Sequence, residues 1–188
     1  MPRLTAPVLP AGSWGEGRQP SIEGEDLLLR PWRAGDESFL LEAYSDPAIR
    51  RWHTFGMTAV AEAEEFIARH AQRWQREEGA DWAVTGAGKQ LGRIGFRLLD
   101  LEFGDAEVAY WVTPAARNQR VASRALAVLT DWARTAGMHR LTLQHSTLNE
   151  ASCRVARRGG FALEGVAVRA LLHDDGWHDV HLHARLLE

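Results

Sequence analysis

The chain is poor in two reactive side chains: of its 188 residues only Cys153 is a cysteine and only Lys89 is a lysine. A single cysteine excludes an intrachain disulfide and a cysteine-based zinc cluster, which fits a reducing compartment. Long hydrophobic runs are also missing. The longest are of the size of Leu27-Leu28-Leu29, far too short to cross a bilayer, so no membrane partner is expected. Residues 1–20 contain no basic stretch followed by an apolar core, so no secretory signal is expected and the protein is placed in the cytoplasm. A basic excess is lacking too. With a formal net charge of −3, the chain has little to offer for counterion release, and a nucleic-acid partner is not expected.

What remains is an ordinary globular composition, 45% hydrophobic and 25% charged, at a length that suits one domain. Residues 1–24 are rich in proline and glycine and read as an extended N-terminal arm; residues 25–188 carry the periodic segments of a single domain. Leu27 to Trp32 reads as a strand. Asp36 opens a helix with Phe39, Leu40, Ala43 and Tyr44 on one face, and Pro47 ends it. Thr58 is placed to cap a long helix bearing Ala63, Phe66, Ile67, His70 and Trp74. Segments 82–85, 91–99 and 106–113 read as a meander of three strands. A strong helical stripe from Val121 to Ala136 follows, then a strand at 140–145, a short helix capped by Asn149, and two strands over 161–171 and 177–187. The order βααβββαβαββ predicts an α+β fold: a mixed, mostly antiparallel twisted sheet of about seven strands with helices on both faces.

Strand 106–113, a turn rich in small residues and the helix from Val121 have the geometry of an anion site. Amides of a first helical turn lack intrahelical partners, the helix dipole adds partial positive charge, and Ala122 and Ser123 admit close approach by phosphate.

Arg117 to Ala122 (Arg-Asn-Gln-Arg-Val-Ala) resembles the GNAT acetyltransferase signature Arg/Gln-x-x-Gly-x-Gly/Ala. Asn149 to Ser152, followed by Gly160 to Gly165 (Gly-Phe-Ala-Leu-Glu-Gly), resembles the later GNAT block Asn-x-x-Ser … Gly-Phe-x-x-Glu-Gly. The segment Leu29 to Trp32 with Asp36 is similar to the opening of the ribosomal-protein alanine N-acetyltransferase group. The resemblance covers about residues 25–187. It implies a GNAT fold splayed at the fourth and fifth strands, with acetyl-CoA as cosubstrate in the gap, no metal, and dimers through the C-terminal strands. One position departs: Arg120 stands where the pattern has glycine, and its side chain either crowds the phosphates or turns outward or onto one of them.

The resemblance also implies site residues. Arg117, Asn118, Gln119, Arg120, Val121, Ala122 and Ser123 would hold the pyrophosphate. Trp111, Val112 and Thr113 would pair with the pantetheine arm near a bulge, with the Val112 amide on the thioester carbonyl. Asn149, the helix cap, would also contact the cofactor, and Ser152 would lie near the sulfur. Direct transfer needs an acceptor for the amine proton and an acid for the leaving thiolate. Glu107 matches the family's general base and alternation puts it on one face with Ala109 and Trp111; a solvated strand-end glutamate is the alternative. Ser152 matches the acid, with helix capping as its alternative and Tyr110 in reserve. Trp52 and His53, on a loop, are the candidate substrate contacts. Cys153 reads as a small core residue rather than a nucleophile, and His173, His178, His181 and His183 as strand-surface residues rather than metal ligands.

The expected function is acetyl-CoA-dependent N-acetylation, with a protein N-terminal α-amine as one acceptor and a small-molecule amine or antibiotic as another. A non-catalytic acyl-CoA-binding protein is the alternative that Arg120 raises.

Overall fold

The computed structural model describes residues 4–188; positions 1–3, with Pro2 of the expected arm, lie outside the described residues. Strands β1 (Ile22–Glu23), β2 (Leu28–Pro31), β3 (Ala80–Gly86), β4 (Lys89–Asp100), β5 (Asp105–Val112), β6 (Arg140–Ser146), β7 (Ala162–His173) and β8 (Gly176–Leu186) form one sheet in the order β1-β2-β3-β4-β5-β6-β8-β7. Helices α1 (Glu37–Ser45), α2 (Pro47–Arg50) and α3 (Val60–Gln75) fall between β2 and β3, α4 (Val121–Thr135) between β5 and β6, and α5 (Glu150–Arg158) between β6 and β7. All neighbouring strands run antiparallel except β5 and β6, which are joined by α4 as a parallel crossover requires.

Alternation along β3 shows how the sheet divides the core. Trp82 packs with Ile94, Phe96, Val108, Leu126 and Leu129 on the α4 face, while the next residue, Ala83, joins Leu40, Tyr44, Phe66 and Trp111 on the α1 and α3 face. Arg93 reaches Asp81 through two short hydrogen bonds in the interior, at 2.5 and 2.6 Å, with His70 Nε2 3.4 Å from the same carboxylate. Burial by itself would raise the Asp81 pKa; the Arg93 and His70 charges reverse this and hold it well below the usual carboxylate range.

Four features differ from the sequence reading. Among the described residues the sheet has eight strands because β1 pairs Ile22 with Leu29, a contact of two residues that is too short to show a period of two. The arm is packed: Trp14 is buried against Trp74 and Trp132, and the amides of Gly12, Trp14 and Gly15 all donate to the Glu77 carboxylate. Pro47 starts α2 rather than only ending α1, since proline suits a first helical turn and Asp46 caps that turn by accepting from Ile49 N. The N-cap of α3 is Ala59, not Thr58; Glu62 accepts from the amides of both. The Arg30 guanidinium grips both oxygens of Asp36 at 2.7 Å, tying β2 to the start of α1.

Candidate active site

Strands β5 and β6 pair only from Asp105 with Arg140 to Val108 with Leu143, after which they part. Thr113 N donates to Leu91 O of β4, so alternation turns the amides of Val112 and Tyr110 away from β4 and into the gap. The strand irregularity falls on β4 rather than β5: Arg97 is the extra residue between Phe96, opposite Val108, and Leu98, opposite Glu107.

Two clefts meet at this gap. The first, about 610 Å³, is lined by Trp111, Val112, Asn118, the first residues of α4 and one face of α5. Four arginines line it, Arg117, Arg120, Arg154 and Arg158, and no carboxylate does. Arg120 precedes α4 with φ +57° and Asn118 has φ +61°, so both take the left-handed conformation that glycine adopts without cost. The Arg120 side chain is exposed and lies along the cleft rim. The Arg117 guanidinium is engaged by Asp46.

The second cleft, about 430 Å³, lies on the α3 side, between Arg69, Arg93, Arg97, Glu107, Ser146 and His173. Glu107 is buried, and Arg97 holds both its oxygens at 2.6 Å. At the far wall His178 links Asp175 Oδ1 and Ser146 Oγ, each at 2.8 Å. His173 stands edge-on to Trp52, and neither of its ring nitrogens has a hydrogen-bond partner among the described residues.

Trp52, His53, Tyr110, Asn149 and Ser152 line both clefts. Asn149 caps α5 by accepting from Ser152 N at 3.0 Å, which fixes the Ser152 hydroxyl 2.8 Å from Tyr110 Oη. Burial raises the Tyr110 pKa far above the phenol range, only partly offset by the Ser152 bond, so the phenol stays protonated. His53 Nδ1 donates to Ile49 O at 2.8 Å, and burial lowers its pKa, so the neutral ring carries its lone pair on Nε2.

The structure therefore brings together at the clefts Trp52, His53, Glu107, Trp111, Val112, Arg117, Asn118, Arg120, Val121, Ala122, Ser123, Asn149 and Ser152. Thr113 and Gln119 line neither: Thr113 bonds Leu91 O, and Gln119 Nε2 bonds Ala115 O. Sequence reading missed Arg154 and Arg158, although their spacing of four on α5 carried the signal. It also missed Arg97, Ser146 and His173, for which nothing local did. The reading of the C-terminal histidines as surface residues is corrected: His178 and His183 are buried because β8 is an interior strand between β6 and β7, and His173, at the end of edge strand β7, is buried against Trp52 and His178.

Two clefts share a hydroxyl pair, and the one walled by arginines and helix-start amides suits a polyanionic ligand. The chain belongs to the GNAT acetyltransferase family: residues 26–162 match the acetyltransferase (GNAT) domain. It is 26% identical over 161 residues to the uncharacterized N-acetyltransferase YoaA of Bacillus subtilis, covering 84% of this chain and 90% of that one. It is 31% identical over 99 residues to the ribosomal-protein-serine acetyltransferase of Escherichia coli, covering 52% of this chain and 55% of that one. Among solved structures, the ribosomal L7/L12 α-N-protein acetyltransferase RimL in complex with coenzyme A superposes with a TM-score of 0.83 at 22% identity, over 89% of this chain and 98% of that one. No helix among the described residues is long and apolar enough to cross a membrane.

Proposed function

We propose that the chain transfers acetyl from acetyl-CoA directly to a primary amine, and that the acceptor is the α-amine at a protein N-terminus. The observation that carries this reading is the carboxylate-free, four-arginine cleft that ends at the Tyr110–Ser152 pair. Such a cleft fits coenzyme A, whose pyrophosphate suits the amides of Val121, Ala122 and Ser123 and whose further phosphate suits Arg154 or Arg158. Binding of coenzyme A by the RimL relative supports the same assignment.

When bound, acetyl-CoA supplies an activated acetyl group, whose carbon forms the new C–N bond as its C–S bond breaks. Val112 N–H polarises the thioester carbonyl from the gap between β5 and β6. Tyr110, a neutral donor, passes a proton to the departing sulfur and is held by Ser152. Glu107 takes the amine proton through water once Arg97 gives way at one oxygen; His53 Nε2, at the junction of the clefts and without a hydrogen-bond partner among the described residues, is the second candidate. Acyl transfer by these groups needs no metal.

An α-amine, with a pKa near 7.7–8.0, is roughly one-tenth neutral at pH 7, whereas a lysine amine at about 10.4 is almost wholly protonated. A base already engaged by arginine suits the easier acceptor. The name of the Escherichia coli relative points the same way. The lone thiol suits action in the cytoplasm. For the homodimer implied by the family resemblance, edge strand β7 offers exposed Val166, Val168 and Leu172.

Thiol release from acetyl-CoA is the test, with a peptide bearing a free serine or alanine α-amine, its N-blocked twin containing lysine, and an aminoglycoside. Turnover of the free peptide alone is expected. Faster turnover of the aminoglycoside moves the acceptor to small amines, and tight cofactor binding without turnover of any amine makes the protein an acyl-CoA binder.

A further inference from the structure

On the face of the C-terminal strands covered by α5, four side chains converge that the acyl-transfer reading leaves unused. His145 of β6 lies directly opposite His181 of β8, and His183 follows on the same face. Cys153, next to Ser152 on α5, completes the group: one donor atom from each residue lies within 4.8 Å of the others. Ring centroids of His145 are 5.2 Å from those of both His181 and His183.

The hydrogen bonds set which atoms face the centre. His145 Nδ1 lies 2.8 Å from Ser146 O and His183 Nδ1 3.2 Å from Phe161 O. A carbonyl only accepts, so each Nδ1 carries the hydrogen and each neutral ring presents its Nε2 lone pair. Those two Nε2 atoms and Nδ1 of His181 are buried without a hydrogen-bond partner among the described residues. Native interiors rarely leave such atoms unpaired, and three at one place call for a common acceptor of lone pairs.

We propose that His145, Cys153, His181 and His183 form a closed tetrahedral site for a borderline-soft divalent cation, zinc first. Three imidazole nitrogens and a thiolate suit zinc, and the lack of an oxygen donor disfavours magnesium and calcium. The carbonyls of Ser146 and Phe161 already orient two rings, the arrangement that outer-shell partners give metal-bound histidines. Ligand atoms around zinc stand about 3.3–3.8 Å apart, given bonds of about 2.0–2.3 Å, so small side-chain rotations close the site. The ion displaces the Cys153 thiol proton to solvent and pins α5 to β6 and β8 beside Ser152.

Untagged full-length protein, stripped with chelator, is titrated with Zn2+ by calorimetry in two buffers of different ionisation enthalpy, and with Co2+ followed by absorbance. The expected result is one ion per chain, release of about one proton near neutral pH, and the intense visible bands of tetrahedral Co2+ with a thiolate-to-cobalt charge-transfer band. Cys153→Ser should abolish that band, and both it and His183→Gln should weaken binding by more than the roughly 10- to 100-fold that loss of an outer-shell partner costs. Absence of binding by the wild type, an octahedral cobalt spectrum, or unchanged affinity in both variants would overturn the site.

Discussion

Ser152 Oγ lies 2.8 Å from Tyr110 Oη at the point where the two clefts meet, and the bond exists because Asn149 caps α5 and turns Ser152 toward β5. If these hydroxyls act as one proton donor, removing either should cost about as much as removing both. Tyr110→Phe and Ser152→Ala are each expected to lower kcat by about 10²-fold, within the general-acid range, with the double variant little worse. Acetyl-CoA affinity should hold. Additive losses in the double variant would mean separate roles.

The proton acceptor for the amine is read from pH profiles. If Glu107 is the base, Glu107→Gln lowers kcat/KM and removes the acid limb of the profile. If His53 is the base, the acid limb lies below about 6.5, because burial depresses its pKa, and His53→Gln removes it. A base acts only unprotonated, so in either case the rate falls as pH falls.

Trp14 is buried against Trp74 and Trp132, and its main-chain N–H is held by Glu77. Trp14→Ala should therefore destabilise the protein by about 3–5 kcal/mol in denaturant unfolding. A change within about 0.5 kcal/mol, ordinary for a surface site, would show that the N-terminal segment is an appendage.

His53 and His173 are both held below the ordinary histidine pKa, by burial first and by neighbouring positive charge. Their folded values lie under the unfolded value of about 6.5, so the unfolded chain gains protons first as pH falls. Their contribution to stability is complete above about pH 6.5 and declines below it toward the folded values. Thermal melts between pH 7.5 and 5.5, in chelator, should show a falling Tm whose slope is shallower in His173→Gln.

Much of the donor cleft was legible because its signals are local. The Val121 to Ala136 stripe, the Asn149 cap and the small residues at the start of α4 each declare themselves within one turn or period. Arg120 could be flagged but not placed, since its left-handed φ and its exposed position on the cleft rim belong to the folded turn. The acceptor side was less legible. Glu107 was found, but its grip by Arg97 depends on a bulge in the neighbouring strand. The histidines of β8 were misread because their burial is set by strand order, which brings β8 between β6 and β7, and the packing of the N-terminal segment was missed because Trp14 meets Trp74 and Trp132 only in the fold. Trp14 in particular sits in a proline- and glycine-rich segment with no period of its own.

The most direct test of the central claim is calorimetric titration of the purified protein with acetyl-CoA, repeated on Arg120→Gly. Micromolar binding by the wild type is expected, about −8 kcal/mol. Binding should persist in Arg120→Gly, whose left-handed backbone glycine adopts more readily. No binding by the wild type, with or without recovery in Arg120→Gly, would contradict the assignment of the four-arginine cleft to the acyl donor.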